Sequence, residues 1–261
     1  MALLTIQNLE IKYGSTCAVQ DLSLKLQDGE VLGIAGESGS GKSTLLKAIL
    51  GILENGQVTH GSIRFGDRKL LQLSREAMRQ IRGSEIGMVF QYAEDSFCPV
   101  RTIGAQLYEG VRQHEKVSKQ EAYDRGTALL EAMHIQEPNR ILKSYPFELS
   151  GGMNQRVGLM MAMVMKPKLL LVDEPTSALD VLVQAQVVEE LLKMRDLFGT
   201  SIVIVSHNMG LLGRMADTIG VMQKGSLIEL DTSRNILYQP KEAYTKQLLA
   251  ALPRLTRQPG S

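Results

Sequence analysis

The chain has 261 residues, of which 44% are apolar and 22% charged, the composition of a folded globular domain rather than a disordered one. Its 29 basic and 28 acidic residues leave a net charge of +1, and it has no Trp. Nucleic-acid-binding proteins depend on a basic stripe or a stacking surface of aromatic rings. No nucleic-acid partner is therefore predicted.

Cysteine spacing and hydropathy exclude two further classes. Cys17 and Cys98 stand in no metal-ligand spacing, which indicates reduced thiols rather than a disulfide or a metal site. The most apolar stretch, Val157–Met165, is far shorter than the about 20 residues of a spanning helix. The first residues lack the basic start and apolar run of a signal peptide. We expect a chain that neither crosses a membrane nor is exported by its own sequence.

Strand and helix patterns alternate along the chain. Alternating or short apolar runs predict strands over Leu3–Leu9, Leu22–Leu26, Val31–Ala35, Ile86–Phe90, Leu169–Val172, Ser201–Val205 and Ile219–Met222. Helical spacing of apolar residues predicts helices over Lys42–Leu50, Leu70–Arg82, Ala122–Met133 and Val183–Phe198. This order indicates an α/β fold with a mainly parallel central sheet. Helical periodicity dominates residues 92–162, which we interpret as an inserted helical subdomain.

A phosphate-binding loop is predicted directly after the strand Val31–Ala35. Its residues match the pattern G-x-x-x-x-G-K-[ST] and open the next helix, which is the context that the pattern requires. Glycines let the backbone turn several N–H groups into one concavity, and the helix N terminus adds partial positive charge. Lys42 would neutralise the β- and γ-phosphates, and the Ser43 hydroxyl would bind Mg²⁺. The predicted nucleotide-binding residues are Gly36, Glu37, Ser38, Gly39, Ser40, Gly41, Lys42, Ser43 and Thr44.

Two carboxylates follow the buried strand at Leu169–Val172. Asp173 and Glu174 would emerge at its carboxyl end, where parallel sheets bind their ligands. Asp173 is placed to hold Mg²⁺, and Glu174 is placed to polarise an attacking water as general base. Alone, an apolar run that ends in two acids is more typical of a solvated helix cap. Together with the phosphate loop it favours the magnesium site.

Further segments make the chain resemble the ATPase subunit of ATP-binding cassette (ABC) transporters. Leu149–Met153 resembles the signature of that family, and Ser177–Asp180 matches its D-loop. Ser206-His207 follows a strand as the switch histidine does. Gln91 fits the Q-loop, and Tyr13 fits the aromatic residue that stacks on adenine. The motifs occur in the family's order over nearly the whole chain.

The resemblance implies a role for each motif. His207 would contact the γ-phosphate, and Gln91 would touch Mg²⁺ or the lytic water. In the family the signature of one subunit closes over ATP held by a second subunit, so two cassettes enclose two nucleotides. The implied catalytic residues are Glu174, His207, Gln91 and Lys42, and the implied magnesium ligands are Ser43, Gln91 and Asp173. The signature residues that would meet the ATP of the second subunit are Ser150, Gly151 and Gly152, and the D-loop residue is Asp180.

The resemblance also implies a division of the chain. We expect a P-loop NTPase cassette over residues 1–252, with an antiparallel β part near the N terminus. Its catalytic core would comprise 1–91 and 163–235. The helical subdomain that carries the signature would be 92–162, and a C-terminal helix would span 236–252. Residues 253–261 are predicted to be a tail.

Two residues depart from the family pattern without removing a predicted phosphate ligand. Met153 stands where Gln is commonest, and Asn208 stands where Asp is usual. The Met ending is itself similar to the importer subfamily for peptides and nickel, as are four longer segments. These segments are Phe90–Gly104, Tyr145–Arg156, Asp180–Gln186 and Tyr244–Arg254. The stretch Arg140–Pro146 favours the nickel or metal-chelate branch, and the lack of Cys after Cys98 predicts no iron–sulfur cluster.

The expected function is therefore to bind and hydrolyse ATP and so energise an importer for peptides, nickel or metal chelates, with Mg²⁺ as cofactor. The implied partners are a second ATPase subunit (a paralogue in much of the subfamily), two membrane permease subunits and an extracytoplasmic solute-binding protein. The chain would then lie peripherally at the cytoplasmic face of the membrane. The alternative is a soluble ABC ATPase of a non-transport complex such as carbon–phosphorus lyase. The apolar residues that either line a permease groove or pack inside the helical subdomain are Phe97, Pro99, Val100 and Ile103.

Overall fold

The computed structural model describes residues 2–176 and 180–251, without the side chains of 181 and 182. The elements in chain order are β1 (Ala2–Tyr13), β2 (Thr16–Gln27), β3 (Val31–Ala35), α1 (Lys42–Leu50), β4 (Gln57–Phe65), β5 (Arg68–Lys69), α2 (Arg75–Ile81), β6 (Ile86–Val89), α3 (Ile103–Arg112), α4 (Lys119–Ala132), α5 (Pro138–Lys143), α6 (Gly151–Met163), β7 (Leu169–Asp173), α7 (Val181–Phe198), β8 (Ser201–Ser206), α8 (Met209–Met215), β9 (Thr218–Gln223), β10 (Ser226–Thr232), α9 (Ser233–Tyr238) and α10 (Ala243–Ala250). The D-loop residues 177–179 and the tail 253–261 lie outside the described residues.

Two sheets build the fold. The six-stranded sheet has the order β10-β9-β3-β8-β7-β6, and its strands pair in parallel except for the antiparallel edge strand β10. The four-stranded sheet has the order β2-β1-β4-β5 and pairs antiparallel throughout. The predicted α/β class, with a mainly parallel sheet and an antiparallel β part at the N terminus, is confirmed.

The central strands bury both of their faces, which explains their continuous apolar runs. Leu169 and Leu171 of β7 pack into the core that contains α1 and the antiparallel sheet. Leu170 and Val172 point to the opposite face and pack against the core of α6, α7 and α8. This alternation follows from the two-residue period of a strand. Two hydrophobic layers therefore hold the sheet rigid behind the predicted site.

The register of the sheet aligns the predicted site residues. Ala35 at the end of β3 pairs with Ser206 at the end of β8, and Asp173 at the end of β7 pairs with Val205. The strands β3, β7 and β8 therefore have their carboxyl ends side by side, and the phosphate loop, the two carboxylates and the histidine segment follow there. Ligands bind at the carboxyl ends of the strands in open parallel sheets.

Some predicted elements differ from the observed ones. The stretch Leu70–Arg82 is not one helix, because the Ser74 side chain accepts from the Ala77 N–H and starts α2 only after a short 3₁₀ turn. The C-terminal helix predicted over 236–252 is two helices, α9 and α10, with Pro240 between them. Strands β4 and β10 were not predicted. Their side chains are mostly exposed or half-buried, so neither has a clear apolar pattern.

Helices α3 to α6 occupy the predicted helical subdomain. Ile103 is fully buried at the start of α3, in the core formed with α4, α5 and α6. Its interpretation as a groove residue is wrong, because its side chain is packed inside the subdomain. Within residues 2–176 and 180–251, we find no helix that combines the length and the hydropathy needed to cross a bilayer.

Candidate nucleotide site

The phosphate loop is held in a shape that only glycine permits at two positions. Gly36 has φ 153°, and a Cβ there would lie 2.4 Å from the Met222 carbonyl oxygen. Gly41 has φ 101°, and a Cβ there would lie 2.4 Å from the Ala18 carbonyl oxygen. Gly41 is also the N-cap of α1 and supplies no side-chain hydrogen bond to its first turn. The N–H groups of that turn therefore need an acceptor from outside the helix, and phosphate oxygens are suitable acceptors.

A buried hydroxyl group in the phosphate loop has no hydrogen-bond partner among the described residues. The Ser40 side chain is buried, and its Oγ has no hydrogen-bond partner among the described residues. A buried polar atom without a partner is costly unless a ligand or water satisfies it. The loop thus has unsatisfied hydrogen-bonding groups that a polyphosphate could satisfy.

Lys42 is folded back on the loop that precedes it. Its Nζ donates to the carbonyl oxygens of Gly36 and Glu37, each at 2.8 Å, and lies 3.9 Å from Glu174 Oε1. Burial lowers the pKa of Lys42, against the opposing effects of Glu174, Asp173 and Glu37. An anion at the loop would stabilise the charged ammonium, because that positive charge is now held in a poorly solvated place.

Ser43 and Asp173 bring two hard oxygen donors together. The Ser43 hydroxyl donates to Asp173 Oδ1 at 2.9 Å, across 130 residues of sequence. Asp173 is buried, and this burial raises its pKa even though the Ser43 hydrogen bond and Lys42 lower it. Carboxylate, hydroxyl and phosphate oxygens are the ligands that Mg²⁺ takes. The pair fits the predicted magnesium site.

Glu174 and His207 meet beside this pair. His207 Nδ1 lies 2.9 Å from Glu174 Oε2, and the histidine ring remains largely exposed. Glu174 has φ 40°, in the left-handed region that residues other than glycine seldom adopt, and its N–H donates to the Val205 carbonyl at 3.0 Å. Such backbone strain is concentrated at functional sites. The structure therefore brings Lys42, Ser43, Asp173, Glu174 and His207 into one cluster.

The two departures from the family pattern have structural explanations. Asn208 is the N-cap of α8, and its side chain accepts from the Leu211 N–H at 3.1 Å. Asp and Asn cap helices equally well, so the change keeps this function. Met153 donates its backbone N–H to Ser150 Oγ, and its side chain packs partly buried on the core. Neither residue contributes its side chain to the cluster around Lys42.

The segment that contains Gln91 is held by a residue that the sequence did not single out. Gln155 of α6 donates to the Phe90 carbonyl at 3.1 Å and accepts from the Ala93 N–H at 3.4 Å. Gln155 is buried, whereas Gln91 between these two anchor points is half-buried. The helix that begins at the signature is thus bonded to the predicted Q-loop.

Tyr13 lies at the end of β1, where a glycine sets its position. A Cβ on Gly56 would lie 2.8 Å from both Cε1 and Cζ of the Tyr13 ring. The ring is half-buried rather than covered. A partly exposed aromatic ring is chemically suited to stacking on a nucleobase, so the role of Tyr13 stays a prediction.

The signature residue Ser150 and the D-loop residue Asp180 lie at exposed helix starts. Ser150 caps α6, and it lines a surface pocket with Gln136, Glu137 and Arg140. Asp180 is exposed and caps α7 by accepting from the Val183 N–H at 2.9 Å. Among the described contacts, none joins Ser150 to the phosphate loop. The structure does not bring the signature to the cluster around Lys42 within one chain.

Comparisons with known proteins show which family the chain resembles. A family model described as ABC transporter matches residues 19–177. The chain is 39% identical to the dipeptide transport ATP-binding protein DppD of Bacillus subtilis, over 97% of this chain and 77% of that protein. It is 38% identical to the metal-staphylopine import system ATP-binding protein CntD of Staphylococcus aureus, over 96% of this chain and 93% of that protein.

A solved structure has the same fold. The dimeric, post-hydrolysis ATP-binding cassette MJ0796 bound to ADP and Pi superposes with a TM-score of 0.78 at 26% identity, over 88% of this chain and 99% of that one.

Proposed function

The chain belongs to the ABC transporter family, as an ATP-hydrolysing subunit that energises solute import, and we propose that the cluster around Lys42 performs the hydrolysis. The observation that carries the proposal is the hydrogen bond between Ser43 and Asp173. It joins the phosphate loop to the carboxylate strand, so that a γ-phosphate, its metal and an attacking water would share one small volume.

The described residues fit MgATP. The loop amides, the unpartnered Ser40 hydroxyl and Lys42 would hold the β- and γ-phosphates, with Tyr13 against the base. Ser43 and Asp173 would hold Mg²⁺, with Gln91 reaching the metal or the lytic water. A magnesium ion held there would supply neutralisation of the negative charge that develops on the phosphate oxygens during transfer.

Glu174 would act as the general base. Its carboxylate lies between Lys42 and His207, so one oxygen faces the phosphate loop and the other faces the histidine. A base placed there can orient a water and accept its proton as the water attacks the γ-phosphorus. His207 would keep that carboxylate in place and contact the γ-phosphate.

Two substitutions test this assignment. We expect Glu174→Gln to keep ATP binding and to lower turnover at least about a hundredfold, the usual effect of losing a positioned base. We expect Lys42→Ala to weaken binding of a fluorescent ATP analogue, because the buried ammonium is lost from the loop. Glu54→Gln, an exposed acid after α1, is the matched control. Near-normal turnover of Glu174→Gln would place the base elsewhere, and unchanged affinity of Lys42→Ala would contradict the phosphate site.

A second cassette would complete the site. The signature residues Ser150, Gly151 and Gly152 start a helix whose first residues are exposed, and Asp180 caps another exposed helix start. A helix N terminus is suited to bind an anion, here the γ-phosphate held by the partner. The dimeric state of the similar cassette MJ0796 supports this arrangement. In much of the subfamily the second cassette is a paralogue.

A cleft beside the Q-loop suits a permease helix. The cleft has a volume of about 700 Å³, lies between β6 and α6, and is lined mostly by apolar groups, among them Val89, Phe90, Ala93, Phe97 and Met161. Of the four predicted groove residues, Phe97 lines it, whereas Pro99 and Val100 are exposed and lie outside its lining. An apolar cleft of this kind favours a protein partner. We infer that two permeases and an external solute-binding protein complete the importer, and that the chain is peripheral at the cytoplasmic face.

The solute that we infer is a peptide or a metal chelate, because the similar proteins serve dipeptide and metal-staphylopine import. The alternative is an ABC ATPase of a soluble complex such as carbon–phosphorus lyase. Membrane fractionation separates the two. Recovery of the chain with a two-permease complex is expected, and recovery only in soluble assemblies would overturn the importer assignment.

A further inference from the structure

A tyrosine from the C-terminal helix contacts the phosphate loop. The Glu37 N–H donates to the Tyr244 hydroxyl at 3.2 Å, although the two residues are 207 positions apart. Tyr244 lies in α10 and is buried, with only 9% of its surface exposed. The hydroxyl would need a partner in such a place, and the loop amide supplies it.

The bonded residue is one that also holds Lys42. The Glu37 carbonyl accepts from Lys42 Nζ at 2.8 Å, so Glu37 is fixed by Tyr244 through its N–H and by Lys42 through its C=O. The preceding residue, Gly36, packs closely against the Met222 carbonyl. The start of the phosphate loop is thereby fixed between β9 and α10, and the position of the Lys42 ammonium depends on both.

Helix α10 is itself anchored to the sheet. The Glu229 carboxylate of β10 accepts from the backbone N–H groups of Lys241 and Glu242, at 2.8 and 3.2 Å. Thr245, next to Tyr244, is fully buried. These contacts hold the first turn of α10 in place, so that Tyr244 reaches the loop from a fixed support.

We propose that Tyr244 is a positioning residue for the phosphate loop, through which the C-terminal helix sets the affinity for nucleotide. The proposal rests on the proposed function, since it requires that the loop bind the phosphates of ATP. Tyr244 does not contact the nucleotide in this scheme. It acts through Glu37 on Lys42, and a displacement of α10 would weaken the hold on the β- and γ-phosphates.

Tyr244→Phe removes the hydroxyl and keeps the buried ring. We expect the Kd for MgATP and for MgADP, measured by calorimetry, to rise roughly three- to tenfold, the factor that corresponds to one ordinary hydrogen bond. KM for ATP should rise by a similar factor, while kcat stays within about twofold because no group at the γ-phosphate is lost. Tyr238→Phe, on α9 with 78% of Tyr238 exposed, is the matched control and should change neither constant.

Hydrogen exchange gives a readout that a general loss of stability would not produce. The Glu37 amide should exchange faster in Tyr244→Phe than in the wild type or in Tyr238→Phe, while amides of β7 keep their protection. Glu229→Gln, which loosens the start of α10, should raise the Kd in the same direction by a smaller factor. Wild-type affinity together with unchanged exchange at Glu37 in Tyr244→Phe would overturn the proposal. A wild-type protein that binds no nucleotide would instead overturn the proposed function.

Discussion

Charge is concentrated in the interior where the phosphate loop meets the carboxylate strand. Lys42 and Asp173 are both buried, and burial shifts both pKa values toward the neutral forms. Glu174 adds a second negative charge beside Asp173 and so raises the pKa of Asp173 further. The site therefore carries charges that the folded chain alone stabilises poorly and that a magnesium–phosphate ligand would satisfy.

Asp173→Asn tests the cost of that charge in nucleotide-free protein with EDTA present. Burial raises the pKa of the Asp173 carboxyl group in the folded state, so this group stabilises the fold most at pH values below its ordinary pKa of about 3.9. That stabilisation is lost as the pH rises through the folded-state pKa. Asn does not titrate, so the variant does not lose stability in this way. We expect Tm of the variant to exceed that of the wild type at pH 7, and the difference to disappear near pH 4.

The same variant should lose at least about a hundredfold in magnesium-dependent turnover, because the metal would lose its carboxylate ligand. Asp67→Asn, at an exposed acid, is the control for both measurements. A Tm difference that is independent of pH, or a lower Tm at pH 7, would contradict the proposed cost of burying the Asp173 charge.

Sequence alone predicts the residues of this cluster whose spacing is local. The phosphate loop occupies eight consecutive positions, and Asp173 and Glu174 directly follow one buried strand. The local sequence pattern is therefore enough to predict where these residues lie in the fold. Gln155 and Tyr244 were not predicted as site residues, because their bonds reach 65 and 207 positions along the chain. A side chain that acts on a backbone amide so distant leaves no spacing signal. The roles of Tyr13 and His207 came from resemblance, since one aromatic residue or one histidine indicates little by itself.

At the scale of elements, α6 joins the signature to the rest of the subunit. Its Arg156 is bonded to Glu190 of α7 through Nε at 2.6 Å and to the Met133 carbonyl through Nη2 at 2.6 Å. Both charged side chains are largely buried, and burial raises the pKa of Glu190 against the lowering effect of Arg156. Together with Gln155, this pair fixes α6 to α7 and to the Q-loop segment.

Arg156→Met tests that connection. It leaves Glu190 buried without its counter-charge, which typically costs about 3–5 kcal/mol of the free energy of unfolding. Urea denaturation should show this loss. The double variant Arg156→Met/Glu190→Leu should recover most of it, because an apolar pair leaves no charge unpaired. Arg140→Met breaks an exposed ion pair with Glu137 and should change stability little. Equal effects of Arg156→Met and Arg140→Met would contradict the importance of the buried pair.

Two of the elements that the sequence analysis does not predict are strands whose pairing is decided by distant partners. Strand β4 pairs with β1 yet exposes most of its side chains, and β10 is an edge strand with half-buried residues. The helix α2 was predicted too long because a single hydroxyl, that of Ser74, decides where it begins. Strands β3, β7 and β8 were predicted almost to the residue, since burial on both faces leaves uninterrupted apolar runs. The division at residues 92 and 162 stays a prediction.

At the scale of the whole molecule, we propose that a second cassette completes the nucleotide site. The phosphate loop and the signature both present helix starts suited to anions, and among the described contacts none joins Ser150 to the phosphate loop. A closed pair of cassettes would bring the signature of one onto the γ-phosphate of the other. Hydrolysis would then remove the γ-phosphate, which holds the two cassettes together. The change in nucleotide state would thereby be converted into movement of a permease.

Substitutions at two adjacent glycines distinguish the effect of closing two cassettes on each other from effects on the fold of one subunit. Gly151 is exposed and has open space around it, so Gly151→Asp should fold with unchanged Tm and unchanged ATP affinity in the isolated subunit. In the assembled complex the new carboxylate would repel the γ-phosphate of the partner, and we expect turnover to fall about a hundredfold, as when a transition-state donor is lost. A Cβ on Gly152 would lie 2.9 Å from Val183 Cγ1, so Gly152→Ala should lower Tm of the isolated subunit. Wild-type turnover of Gly151→Asp in the assembled complex would show that hydrolysis does not depend on the signature that this chain offers to its partner.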